Sequence, residues 1–278
     1  MNAIERRSTF ALSSIFALRM LGLFMIIPVF SIAGQSYQYA TPALIGLAVG
    51  IYGLSQAILQ IPFSLWADRF SRKPLIILGL VLFALGGAIA AMSHTIYGVI
   101  IGRAIAGAGA VSAVVMALLA DVTREEQRTK AMAVMGMSIG LSFVIAFSLG
   151  PWLTSQVGIS GLFWVTTIMG IAAIFMLLLV PKVTRHHRNF RQGYLAQLKQ
   201  VIQMGDLNRL HVSVFSLHLL LTAMFIYVPS QLIEFANIPL AKHGMVYLPL
   251  LVISLLFAFP SIIVAEKYRK MRGIFLTA

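Results

Sequence analysis

The stretch "IPFSLWADRFSRKPLIIL" (61–78) sets one carboxylate and three cations between two long apolar runs, and "FPSIIVAEKYRKMRGIFL" (259–276) repeats it 198 residues later. In that alignment Pro62 meets Pro260, Ala67 meets Ala265, Asp68 meets Glu266, Arg69 meets Lys267, Phe70 meets Tyr268 and Leu78 meets Leu276. A second pair lies upstream at nearly the same offset. There "LRML" (18–21) parallels "LHLL" (217–220), and each is followed by a proline, Pro28 and Pro229. Two pairs at almost one offset point to an internal duplication rather than an echo of biased composition.

With 59% hydrophobic residues, 10% charged residues and a mean hydropathy of +0.92, the chain lies outside the range of soluble domains, where about a quarter of residues are charged. Eight apolar runs occur, at 10–33, 43–66, 74–92, 96–120, 131–153, 161–180, 210–233 and 244–265. Each is long enough to cross a hydrocarbon core of about 30 Å at ~1.5 Å per helical residue. The expected fold is therefore all-α and polytopic. The first run is too long for a signal h-region and is interrupted by Arg19, so it reads as a retained helix.

The net charge of +13 is explained by where the cations sit. Arg6 and Arg7 precede span one, and the other clusters follow spans two, four, six and eight, so that 18 of 21 basic residues share one side. The opposite loops carry only Lys242, and Arg19 and Arg103 lie inside spans. The excess of Lys and Arg makes the loaded side cytoplasmic, with the N-terminus inside. Basic loops against anionic lipid account for the charge, and no nucleic-acid partner is expected. The absence of cysteine excludes disulfides and thiolate chemistry, and the six histidines show no metal-ligand spacing, so neither a metal nor a cofactor is expected. No His-Glu-x-x-His, Gly-x-Ser-x-Gly or paired intramembrane aspartate suggests an enzyme.

Both copies of the repeat begin and end on the same side, the arrangement in which two parallel halves enclose a midplane site. The expected organisation is a six-span bundle over 1–181, a linker over 182–209 and an incomplete second bundle over 210–278 with spans seven and eight and the start of a ninth. On this reading the chain is truncated, with about four spans of the second copy missing. It is then either a transporter as it stands, a transport-inactive product, or a half-transporter needing a second chain. "YLAQLKQVI" (194–202) carries helical periodicity and predicts a short amphipathic helix along the membrane surface.

Several side chains stand out against this background. Asp68 is not needed for a basic loop, and a carboxylate there can accept bonds from a guanidinium or face a helix N-terminus, a latch that breaks when helices move. Arg19 and Arg103 are intramembrane charges, each costing about 2.5–3.5 kcal/mol to insert, and read either as cavity groups or as snorkelling or structural donors. His218 matches Arg19 in the repeat and is the interior group able to titrate, or else a packing histidine. Gln56 and Gln60, with Tyr52 one turn away, line a cavity or glue helices together. Gly46 and Gly50, Gly98 and Gly102, and Gly136 and Gly140 have the spacing of close helix packing. Gly150-Pro151 removes a backbone donor and is expected to bend span five.

"SLWADRFSRKPLI" (64–76) resembles the signature between spans two and three of the major facilitator superfamily. "LGLFMIIPV" (21–29), "GRAIAGAGA" (102–110) and "GMSIGLSFVIAFSLGPWL" (136–153) resemble, in order and on the correct spans, further motifs of its drug:proton antiporters, and the wording is closest to the YajR-like branch. The resemblance implies a gate in which Asp68 caps span eleven, Arg69 and Lys73 supply the motif cations, and Arg72 pairs with Asp121. It makes Arg103 a buried arginine associated with coupling, and Gly107, Gly109, Gly150 and Pro151 positions of hinging or close packing. Ser64 and Ser71 stand where the motif has glycine, and Trp66 where it has leucine; the first glycine lets helices approach closely and the second permits a left-handed turn, so serine at both is expected to weaken the latch. The implied function is alternating access in a bacterial inner membrane, exporting a small amphipathic compound against entering protons, with the bilayer and that small molecule as partners. Because the chain has no native cysteine, single cysteines placed in 67–74 should react with an impermeant maleimide only from the cytoplasmic side; labelling from outside overturns the orientation.

Overall fold

A computed structural model describes residues 1–181 and 203–267, apart from the side chains of residues 68, 69, 255 and 258–267. The helices are α1 (Ala3–Ala33), α2 (Pro42–Arg69), α3 (Arg72–Met92), α4 (Ile96–Ala108), α5 (Ser112–Val122), α6 (Glu125–Leu177), α7 (Gly205–Glu234) and α8 (His243–Lys267). The expected surface helix at 194–202 lies outside the described residues, as does the second basic turn from residue 268 onward. Local chemistry sets several boundaries. Asn2 and Glu5 form a reciprocal capping box at the start of α1. Thr41 caps α2 ahead of Pro42, whose missing N–H costs nothing in a first turn.

Helix α6 holds two passes in one 53-residue run, which breaks at Gly158 with φ 70° and ψ 178°. Its first arm, 125–157, runs parallel to α1. Ser138 Oγ donates to the Ser13 carbonyl at 3.3 Å, Ser142 Oγ to that of Ala17 at 3.1 Å, and Gly150 lies against Met25 further along. The second arm, 159–177, runs the other way, with Phe163 beside Phe30 and Thr166 beside Gly22. A glycine supplies this reversal because its backbone conformation there is one that L side chains rarely adopt. Pro151 lies inside the first arm, seven residues before the reversal. Expected span four is likewise not continuous: it breaks at residues 109–111, between α4 and α5.

Eight passes result among the described residues, six of them in the first bundle. Two apolar cores hold that bundle. One, at the end bearing the basic loops, joins Leu12, Ile15, Ile76, Leu80, Leu119, Met135 and Leu177. The other, at the opposite end, joins Met25, Val29, Phe30, Ile96, Phe147, Leu162 and Phe163. Lipid tails are as apolar as these side chains, so close van der Waals approach has to supply what the hydrophobic effect supplies in water. Glycines provide it. A Cβ on Gly86 would lie 2.3 Å from the Ala106 nitrogen and the Gly102 carbonyl oxygen; one on Gly107 would lie 2.2 Å from the Tyr52 carbonyl oxygen, and one on Gly109 2.2 Å from that of Gly79. Gly150 is similarly seated on the Met25 carbonyl, at 2.9 Å.

The spacing argument is only partly right. Gly102 packs closely, against α3, but Gly46, Gly50, Gly136 and Gly140 have nothing within 4 Å of a Cβ. Their periodicity marks open faces of α2 and α6, not helix contacts. Gly86→Val should therefore lower thermal stability in detergent by about 1–3 kcal/mol, the usual cost of overpacking, whereas Gly136→Val should leave the melting temperature unchanged.

Candidate functional site

The basic turn joins α2 and α3 through Phe70 and Ser71 alone. Ser71 is extended (φ −60°, ψ 133°), so the left-handed turn expected from the motif is not required and serine carries no strain there. Ser64 bonds back to the Gln60 carbonyl within its own helix, at 2.7 Å. Arg72, only 9% exposed, places Nη1 2.8 Å from Asp121 Oδ2 in the last turn of α5, a contact of charge rather than a linear hydrogen bond. Lys73 Nζ donates to the Val180 carbonyl. The side chains of Asp68 and Arg69 lie outside the described residues.

One tie at this end was not read from sequence. Arg124 Nε donates to Glu5 Oε1 at 2.9 Å, and the Arg124 backbone N–H donates to the same oxygen at 3.1 Å. Glu5 is thus shared between its own capping box and the loop before α6. The capping pattern Asn-x-x-Glu was legible, but a partner 119 residues away leaves no local signal. The Arg72, Lys73 and Glu5 contacts all lie within the first bundle.

In the interior, Arg19 and Gln56 do meet. Arg19 is 2% exposed; Nη1 donates to Ser112 Oγ at 2.6 Å, Nη2 to Gln56 Oε1 at 3.3 Å, and Cζ lies 5.9 Å from the centre of the Phe83 ring. Ser112, the first residue of α5, is brought to Arg19 by the break after Gly109, which the sequence reading missed. Arg103, 3% exposed, donates Nε to the Ala48 carbonyl and Nη2 to that of Val49 at 3.3 Å. Its Cζ lies 5.5 Å from the centre of the Tyr52 ring and 6.0 Å from that of Phe30. Both arginines are thus held by neutral groups and ring faces, in the range of cation–π attraction. Gln60 has no side-chain bond to either. His218 does not join them at all: it is exposed on α7 and its Nδ1 donates to the Val214 carbonyl one turn back, at 2.9 Å.

At the opposite end the second copy meets the first bundle through aromatic rings. Phe225 of α7 lies 4.3 Å from Phe147 and 5.6 Å from Phe143, and Tyr247 of α8 lies 5.9 Å from Phe147, centroid to centroid. Gly244 sits so close that a Cβ would fall 2.1 Å from the Ser148 carbonyl oxygen. His243, fully buried, donates Nε2 to the Ile238 carbonyl at 3.0 Å and faces Tyr247 edge to face. By contrast, almost all of α7 between 205 and 224 is exposed. The two copies touch at one end and part toward the other.

Residues 12–278 match the Major Facilitator Superfamily. Over 274 residues the chain is 46% identical to the inner membrane transport protein YajR of Escherichia coli (strain K12), covering 98% of this chain and 60% of YajR. Multidrug resistance protein 1 of Bacillus subtilis (strain 168) is 27% identical over 183 residues, 65% of this chain and 46% of that protein. Among solved structures, a bacterial homolog of the human lysosomal transporter Spinster, in an inward-facing and unoccupied conformation, aligns with a TM-score of 0.73 at 17% identity over 96% of this chain and 64% of that one. The chain thus spans about three fifths of the length of YajR. Identity of 46% sustained over nearly every residue far exceeds what shared hydrophobicity produces, and the chain belongs to the Major Facilitator Superfamily.

Proposed function

We propose that this chain works in proton-coupled export of a small amphipathic compound by alternating access, in a bacterial inner membrane with its basic loops in the cytoplasm. The observation that carries the reading is the one-sided seam. Phe225, Tyr247 and Gly244 close the second copy onto Phe147 and Ser148, while residues 205–224 stand away from the first bundle. In a two-bundle transporter, a seam at one end leaves the midplane site open to the other. Here the open end is the basic one, so this conformation faces the cytoplasm by the distribution of cations.

The residues divide by role. Arg72 and Asp121, with Lys73 on the Val180 carbonyl, brace the turn that presents Asp68, the carboxylate proposed to latch the second bundle when the basic end closes. Arg19, Gln56 and Arg103 keep the interior of the first bundle polar. An inner-membrane setting and export rest on the names of YajR and the multidrug protein, and proton coupling on the antiporter motifs. The proton-carrying group is assigned to the basic edge, because every acidic residue of the sequence except Glu234 falls at a helix end on that side.

Two experiments test this. In proteoliposomes holding only this chain, an imposed pH gradient should drive substrate-dependent proton movement, and Asp68→Asn should reduce it about tenfold with membrane insertion unchanged; undiminished flux removes the latch. Separately, cysteines at Phe147 and Phe225 should cross-link on oxidation in a chain otherwise free of cysteine, stop transport, and release it on reduction. Full transport by the cross-linked protein would show that the aromatic seam need not open.

A further inference from the structure

Between the two apolar cores of the first bundle lies a thin layer of different chemistry. Tyr52, Phe83 and Ala106 form a small cluster of their own there, and a cavity opens beside them, lined by Tyr52, Phe83, Gly86, Gly87, Arg103 and Thr166 among others. Every residue that lines it belongs to the first bundle. Its free space is on the order of one water-sized group.

The polar groups around it are donors in excess. Tyr52 is 4% exposed and its hydroxyl has no hydrogen-bond partner. Arg103 donates Nε and Nη2 to backbone carbonyls, which brings its guanidinium to the wall of the cavity. Thr166 is already committed, donating to the Phe163 carbonyl at 2.7 Å. Arg19, whose guanidinium stands over the Phe83 ring that walls the cavity, adds a second cation, and its buried Nε is also unpartnered.

No carboxylate can balance these charges. The acidic residues are Glu5, Asp68, Asp121, Glu125, Glu126, Asp206, Glu234 and Glu266, each within the first or last two turns of a helix. Along α2, Asp68 is sixteen residues from Tyr52, about 24 Å of helix. Two buried cations, an orphaned hydroxyl donor and a small cavity therefore call for one counter-charge that enters as a free ion. A water molecule would fill the space and accept the hydrogen bonds, but would leave the charge uncompensated.

The geometry points to a bundle-internal site for a small monovalent anion of chloride size, held by the Tyr52 hydroxyl and the Arg103 guanidinium under the field of Arg19. Ringed by aromatic side chains and glycines, the space excludes bulkier anions such as gluconate. The site is read by binding rather than by transport, so a failure here and a failure of transport are separate results.

The test uses the 278-residue chain in detergent, with sodium gluconate exchanged for sodium chloride or bromide at constant ionic strength. Chloride and bromide should raise the melting temperature saturably, and crystals grown in bromide should show anomalous density between Tyr52 and Arg103. Tyr52→Phe removes one donor without changing shape. It should keep the melting temperature measured in gluconate and raise the half-saturating chloride concentration about fivefold, the weight of one hydrogen bond. A melting temperature that ignores which anion is present, bromide density found only elsewhere, or an unchanged half-saturation in Tyr52→Phe would each overturn the proposal.

Discussion

Helices surrounded by hydrocarbon gain little by exchanging lipid neighbours for protein ones, so whatever holds this bundle must distinguish a close neighbour from a fluid one. Backbone contact at glycine does so. Where α4 crosses α2, Gly107 rests on the carbonyl of Tyr52; where α3 meets α4, Gly86 and Gly102 are interleaved with Ala90 and Ala106; where α1 lies along the first arm of α6, Gly150 rests on Met25. These approaches fix the rotation of each helix about its own axis. That rotation decides which polar side chains point inward.

The interior polar layer follows from those rotations. Arg103 reaches the Ala48 and Val49 carbonyls because α4 lies tight against α2, and Arg19 reaches Ser112 because the chain breaks between α4 and α5. Carbonyls, hydroxyls and ring faces take up part of the donor capacity of these guanidiniums, although no carboxylate is near. The ion pair of Arg72 with Asp121 and the bonds of Glu5 with Arg124 lie at the basic end, where Arg124 is 62% exposed and water shares the load. The bundle is thus stiff at its basic end and polar in its middle, while its aromatic seam with the second copy is at the far end.

Much of this was legible beforehand, because apolar run length and loop charge are local properties of a membrane chain. The eight expected spans correspond to eight passes, and the two-residue turn at Phe70 and Ser71 falls where the charged stretch predicted one. Breaks in the helices were not legible: Gly109 and Gly158 look like any other glycine in a greasy run, and only the folded backbone shows which one leaves the helix. Spacing also misassigned Gly46, Gly50, Gly136 and Gly140, since a small residue every fourth position marks a smooth stripe without saying what lies against it. His218, matched to Arg19 in the repeat, lies on the stretch of α7 that is exposed at almost every position among the described residues, apart from the Arg19 and Arg103 layer. Ser112 and Glu5 were overlooked because their partners are far away in the chain.

The seam has a mechanical corollary. Phe225 lies two thirds of the way along α7, so the helix is pinned near one extremity and runs free for the twenty residues from 205 to 224, about 30 Å of rigid rod. Pivoting by roughly ten degrees about the ring cluster would sweep the tip through ~5 Å, with side chains at the fulcrum shifting by far less. A small adjustment at the ring cluster is thereby amplified at the far tip of the helix.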